Sequence, residues 1–131
     1  MSTSNPWFNR VTAAKDAATY TFAFFNDTNV KMGNPLADKP PMYIAETGWP
    51  TSSSTVEGRT NGVSEASETN LQIFINNFVC TANAQGTKYF IYEFNDSPWM
   101  EHLSPGSDGF NGLFYNNRTL KSLTLPDCSH D

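Results

Sequence analysis

Cysteine is scarce, basic residues are outnumbered, and no hydrophobic run is long. The two cysteines, Cys80 and Cys128, leave two readings open: a disulfide in an exported protein or a pair of buried thiols in a cytosolic one. They are too few, and lack the ligand spacing, for a metal centre to be expected; His102 and His130 lie in polar, turn-like surroundings, and no cofactor is expected either. Eight Lys and Arg against thirteen Asp and Glu give a net charge of -5, which argues against a nucleic-acid or anionic-membrane surface, since both need a basic footprint. A neutral ligand is easier to accommodate. No stretch reaches transmembrane length, and Met1-Ser2-Thr3-Ser4-Asn5 has neither the charged n-region nor the apolar h-region of a secretory signal. With 38% hydrophobic and 16% charged residues over 131 positions, the composition is that of one ordinary domain with a buried core. The aromatic load is high, with ten Phe, five Tyr and three Trp, which suits sugar faces and an ordinary core alike. Three Asn-X-Ser/Thr triplets, at Asn26, Asn95 and Asn117, lean toward export, the second weakened by Pro98 directly after it.

The chain is organised around Met42-Tyr43-Ile44-Ala45-Glu46-Thr47-Gly48-Trp49-Pro50. A short run of strand-forming residues ends in a carboxylate, and Gly48 and Pro50 then stop the strand, so Glu46 is placed at a strand's carboxyl end. In parallel barrels that edge carries the chemistry, because loops converge there over strands that hold them in place. Taken alone, a Glu closing a strand is more often a solvated end or a helix N-terminal partner than a catalyst.

Before this strand, Asn5-Pro6-Trp7-Phe8 reads as a strand end or turn. Ala14, Ala17, Ala18, Thr21, Phe22 and Phe25 then recur on one face of a helix, with Thr12 as its cap. Residues 26–41 supply Asn, Asp, Gly and three prolines and read as a loop. After the strand, residues 51–62 form a polar stretch unable to pack a core, of a length usually functional or disordered. Ser64 is predicted to cap a second helix with Ala66, Asn70, Ile73, Phe74, Asn77 and Phe78 on one face, Glu65 and Glu68 in its first turn, and its end near Gly86. Residues 87–94 form a second strand that also finishes among acids, Glu93 and Asp96. Helices alternating with apolar strands that end in carboxylates indicate parallel strands of an α/β protein. A complete eightfold barrel takes about 250 residues, so this length holds about half of one.

Ile44-Ala45-Glu46-Thr47-Gly48-Trp49-Pro50, then Tyr92-Glu93-Phe94-Asn95-Asp96-Ser97-Pro98-Trp99, then Gly112-Leu113-Phe114, and finally Arg118-Thr119-Leu120-Lys121 with Leu123-Thr124 and Pro126-Asp127-Cys128 together resemble fungal members of glycoside hydrolase family 17, cell-wall β-1,3-glucan hydrolases and glucanosyltransferases. The resemblance extends from Asn5-Pro6-Trp7-Phe8 to Cys128, in the family's order and approximate spacing. It implies that the chain, as a single partial domain over residues 1–131, forms about strands 6 to 8, the carboxyl-terminal part, of a (β/α)8 barrel.

The resemblance also implies a retaining mechanism with Glu46 as nucleophile. Retention needs a second carboxyl group about 5 to 5.5 Å away to protonate the leaving oxygen. The family takes that acid from the fourth strand, in an amino-terminal half that this chain lacks and that is a potential partner. Trp7, Trp49, Glu93, Asp96, Trp99 and Asp108 are the substrate-binding candidates. Trp49 and Trp99 each read equally as a sugar platform or as a roof on the barrel. Glu93 reads as a sugar-hydroxyl partner, as a group orienting Glu46, or as structural. Three positions depart from the family pattern. Asn5 stands where His or Tyr is usual, Ser97 where Glu is usual, and Met100 where Lys is usual, which removes a carboxylate and a cation from the expected glycone site. The expected partner is β-glucan and the expected location secreted or cell wall. A non-catalytic β-glucan-binding or structural remnant is the alternative from a different class. An ordinary cytosolic α/β fragment is a third reading, which free cysteines would favour.

Overall fold

The computed structural model describes residues 5–9 and 12–129. Of the residues singled out above, Met1 to Ser4 and His130 lie outside that range.

Asn5 leads into a 3-10 turn, Pro6–Asn9, in which Pro6 supplies the fixed φ of a first position and the Trp7 N–H donates to Asn5 Oδ1 at 3.1 Å. Helix α1 follows over Ala14–Phe24. Its inward face is the one the spacing predicts: Ala14, Ala17, Ala18, Thr21, Phe22 and Phe25 are all buried. The cap position, however, is Ala13 rather than Thr12. The expected loop at 26–41 is also corrected at its start, because the helical run continues through a π turn, Phe25–Val30, into α2, Lys31–Gly33. Within residues 26–41 no proline occurs before Pro35, and an i,i+4 pair between Asp27 and Lys31 at 2.7 Å supports the extra turn.

Strand β1, Tyr43–Thr47, is followed by a loop and a small antiparallel pair, β2 (Thr60–Asn61) with β3 (Ser64–Glu65). Ser64 is therefore a strand residue and not a cap; its hydroxyl donates to Thr12 O at 2.7 Å and ties this pair to the entrance of α1. The cap of α3, Glu68–Gln85, is Ser67, whose side chain accepts from the Asn70 N–H, and Gly86 closes the helix in the left-handed conformation at φ 66°. The buried face of α3 is Leu71, Phe74, Ile75, Phe78 and Ala82, whereas Asn77 of the predicted face is exposed.

Strand β4, Lys88–Ile91, pairs with β1 in parallel, Tyr43 opposite Lys88 and Thr47 opposite Ile91, with an irregularity between. It stops three residues short of the predicted end. The unit β1-α3-β4 is thus a parallel crossover with α3 on one face of the sheet and α1 packed on α3. Phe22, Phe74, Phe78 and Tyr89 form the seam: Phe78 stacks on Phe22 and Phe74 at 5.0 and 5.2 Å and meets Tyr89 edge-on at 5.0 Å. Among the described residues nothing covers the other side of the sheet, where Tyr43 and Phe90 are exposed.

The carboxyl-terminal segment is irregular. Two 3-10 turns, Pro98–His102 and Asp108–Phe110, are followed by single bridges from Phe114 to Asn95 and Leu120. Cys80 and Cys128 form a disulfide that fastens the segment around Cys128 to α3, so the two are not buried free thiols.

Candidate active site

At the carboxyl ends of β1 and β4 the two segments leave the sheet side by side. The Tyr92 N–H donates to Thr47 O at 2.8 Å, continuing the parallel register one step past the last strand pair. A Cβ on Gly48 would stand 2.3 Å from Tyr92 O, so the backbones can run this close only with glycine there. This contact aligns Glu46 with the Tyr92-Glu93 corner, whose connecting peptide is cis.

A cleft of about 180 Å³ opens at this edge. Glu46, Tyr92 and Asp108 contribute its polar walls, with Asn5 and Asn111, while Phe8 and Met100 contribute apolar surface. Glu93 lies next to it. Its Oε2 accepts from Ser97 Oγ at 2.9 Å, and its Oε1 is buried without a hydrogen-bond partner among the described residues. Burial, above all, holds the Glu93 carboxyl above its ordinary pKa; Asp96 and Glu46 add to the shift, and the Ser97 hydrogen bond and Lys121 oppose it. The Tyr92 phenol is likewise raised, first by burial and then by the charges of Glu93, Glu46 and Asp108. Glu46 therefore stands, exposed, beside a neutral phenol and a carboxyl disposed to hold its proton, an arrangement that can present a carboxylate oxygen to an incoming electrophile.

Beneath the cleft lies a charge pair. Lys121, its side chain fully buried, donates from Nζ to Asp96 Oδ1 at 2.7 Å and to Thr51 Oγ1 at 2.6 Å. Asp96 Oδ1 also accepts from the Gly112 N–H at 3.0 Å. Asp96 Oδ1 is thus engaged inside the protein, where the pair binds the segments at 51, 96, 112 and 121 together. The loop at 51–62 is not loose either. Thr51 N donates to Phe110 O at 3.0 Å, and Ser54 N to Gly106 O at 2.8 Å, so the loop is tied to the segment that carries Asp108.

Two of the three tryptophans are buried as well. Trp49 is 0% exposed, donates from Nε1 to Glu65 O at 2.8 Å, and takes Trp7 edge-on at 5.4 Å; Trp7 is itself buried. Both rings are thus packed inside the described part of the chain and not open at its surface. Trp99 is 60% exposed on the Pro98–His102 turn, one residue before Met100 of the cleft. Asp108 and Glu46 line the cleft, and Glu93 adjoins them. Tyr92, Phe8, Asn111 and Lys121 carried no predicted role. For Tyr92 a signal existed, since aligning the two strand ends sets it level with Thr47. Among the described residues no group of His, Cys, Asp or Glu is arranged to hold a metal.

A carboxylate at the carboxyl edge of a parallel β-α-β unit, set in a cleft of mixed polar and apolar walls, is the arrangement of α/β proteins that carry their sites on strand ends. The sequence model of the BtgE/BtgC glycoside hydrolase domain matches residues 1–112, and the chain belongs to that family. It is 31% identical over 138 residues to a probable glucan endo-1,3-beta-glucosidase, btgC, of Aspergillus flavus, covering 98% of this chain and 20% of that protein. The glucan endo-1,3-beta-glucosidase btgC of Emericella nidulans is 29% identical over 143 residues, covering 98% and 21%. The chain thus spans about a fifth of the length of these relatives. Among solved structures, a glycoside hydrolase family 17 beta-1,3-glucanosyltransferase from Rhizomucor miehei matches with TM-score 0.77 at 21% identity, covering 96% of this chain and 42% of that one. An active-site mutant of the Rhizomucor miehei beta-1,3-glucanosyltransferase in complex with laminaritriose matches equally, at 19% identity. The family 17 resemblance drawn from the motifs stands, and the fold is a partial α/β piece of the barrel type.

Proposed function

We propose that this chain is the nucleophile-bearing part of a retaining β-1,3-glucan hydrolase or glucanosyltransferase, in which it forms about strands 6 to 8 of the barrel. The observation that carries the reading is Glu46, exposed at the end of β1 in a cleft with Tyr92 and Asp108, beside Glu93. Glu46 attacks the anomeric carbon of a β-1,3-linked glucose unit. Glu93, protonated at higher pH than an ordinary carboxyl, hydrogen-bonds to sugar or to Glu46, and Trp99 offers the open aromatic face. Water or a second sugar then resolves the glycosyl intermediate, giving hydrolysis or transfer.

The uncovered side of the sheet, with Tyr43 and Phe90 exposed, supports a barrel half on that face as the partner, the half that brings the acid. Without that acid the leaving oxygen departs as a poor alkoxide, and general acid catalysis is worth about 10² to 10⁴ in rate. The isolated chain is therefore close to inactive. A secreted or cell-wall location, which the disulfide supports, suits this substrate.

The test is to fuse or co-express an amino-terminal barrel half carrying the acid Glu and to follow reducing-sugar release and transfer on laminaritriose. Activity that appears on completion and vanishes in Glu46→Gln is the expected result. Turnover by the isolated chain that Glu46→Gln leaves intact would refute it. Binding of laminaritriose by the completed barrel without turnover would favour a non-catalytic glucan-binding module, for which Trp99 is the supporting observation.

A further inference from the structure

The chain between Leu113 and Lys121 doubles back on itself, with Phe114 bridged to Leu120 in antiparallel fashion and the Lys121 N–H donating to Leu113 O at 3.2 Å. At its tip the Arg118 N–H donates to Tyr115 O at 2.8 Å and the Tyr115 N–H to Thr119 O at 2.9 Å. Arg118 takes a left-handed φ of 65°. This is the three-residue hairpin loop in which a turn is followed by one left-handed residue. Its central residue, Asn117, is exposed and begins the triplet Asn117-Arg118-Thr119. Asn117 Oδ1 accepts from the Thr119 N–H at 3.0 Å, an Asx turn that brings the two ends of the triplet together. Its Nδ2 donates to no described residue.

The other two triplets are held differently. Asn26 lies within the helical run, its carbonyl accepting from the Lys31 N–H, so its triplet has helical and not turn geometry. Asn95 spends its amide on Asp96 O at 2.9 Å and is half-buried. The Cys80–Cys128 disulfide, meanwhile, is a bond of oxidising compartments, where such triplets meet their donor.

We propose that Asn117 is an N-glycosylation site, accepting an oligosaccharide from a lipid-linked pyrophosphate donor. In the transfer, Asn117 Nδ2 attacks the anomeric carbon of the first sugar. The new bond is carbon to nitrogen, the bond broken joins that carbon to the pyrophosphate oxygen, the lipid pyrophosphate leaves, and the amide proton passes to a base of the transferase. The attached glycan stands off the hairpin tip, where it covers no core residue. The proposal goes beyond the reading of the cleft and does not rest on it.

The whole chain, led into microsomes by an appended signal, tests this whether or not it folds efficiently afterwards. Glycan increments are counted by gel mobility before and after endoglycosidase, and Asn117 is marked by peptide mass spectrometry after enzymatic deglycosylation in isotopically heavy water. Asn117→Gln and Thr119→Ala are each expected to remove one increment, whereas Thr119→Ser, which keeps the hydroxyl, retains it. An increment count that Asn117→Gln leaves unchanged, or a protease-protected chain with no increment at all, overturns the assignment.

Discussion

Lys121 Nζ lies 2.7 Å from Asp96 Oδ1, with the lysine side chain 0% and the aspartate side chain 10% exposed. Each partner has further bonds, to Thr51 Oγ1 from the lysine and from the Gly112 N–H to the aspartate, so the pair closes a knot joining four segments. Removing one partner leaves a buried charge alone, which costs about 3–5 kcal/mol, whereas removing both often costs far less. Lys121→Met should therefore lower unfolding stability by about that amount, and Lys121→Met with Asp96→Asn should recover much of it. Urea unfolding of the four proteins of this cycle measures the coupling, and additive losses would contradict the account.

How much of this was readable beforehand differs by element. The α1 face was legible because a helix packed on one side repeats its apolar residues every three or four positions, and Ala14 to Phe25 do so without interruption. The start of α3 was not, because Ser64 and Ser67 are equivalent in type, and what separates a strand residue from a cap is the pairing of Ser64 with Asn61 and its bond to Thr12 O. Glu46 could be placed at a strand end because Gly48 and Pro50 punctuate the strand. The fate of Trp49 could not be told, since a buried ring and a sugar platform have the same sequence, and the choice lies in the contacts with Trp7 and Glu65 O, both distant in the chain. Lys121 was invisible for a similar reason: a lysine near the carboxyl end reads as solvated until its partners at 51 and 96 are brought to it.

Two carboxyls give the protein pH sensitivities of opposite sign. Glu93, raised chiefly by burial, binds its proton more tightly in the folded state, so its contribution favours the fold at low pH and is lost as pH rises through 4.5 and then through its folded value. Glu93→Gln should therefore gain stability relative to the wild type as pH rises from about 4 to about 7. At Glu68 burial also pushes the pKa up, but hydrogen bonds from the Tyr115 hydroxyl and the Ser122 N–H, with Lys121 nearby, bring it below its ordinary value. That contribution is present at neutral pH and lost on acidification, so Glu68→Gln should lose stability at neutral pH and converge with the wild type in acid. Urea midpoints across the pH range check both, and parallel profiles for all three proteins would refute the assignments.

The Cys80–Cys128 disulfide closes a loop of 48 residues. Loop-closure entropy alone makes such a link worth about 4 kcal/mol. Protein unfolded without reductant should show no reactive thiol, and reduction should lower the unfolding midpoint and free the tail from α3. Two titratable thiols in protein made by secretion would contradict the pairing.

Trp49 and Trp99 are separated by their surroundings and so should fail differently. Trp49 fills space against Trp7 and satisfies Glu65 O, so Trp49→Phe removes a hydrogen bond and part of a packed ring, at a cost of about 1–3 kcal/mol. Because the ring is fully buried, the loss should appear in unfolding and leave intrinsic sugar affinity alone in whatever fraction remains folded. Trp99, exposed on its turn next to Met100, has little packing to lose, so Trp99→Ala should change stability by less than about 0.5 kcal/mol, the range of ordinary surface substitutions. If its face receives a glucose ring, the same variant should weaken laminaritriose binding by the completed barrel about fivefold, the scale of one aromatic contact. Calorimetric titration paired with urea unfolding reads both effects on the same samples. Unchanged affinity in Trp99→Ala, together with weakened affinity and intact stability in Trp49→Phe, would reverse the two roles and reopen the roof of the barrel as the sugar platform.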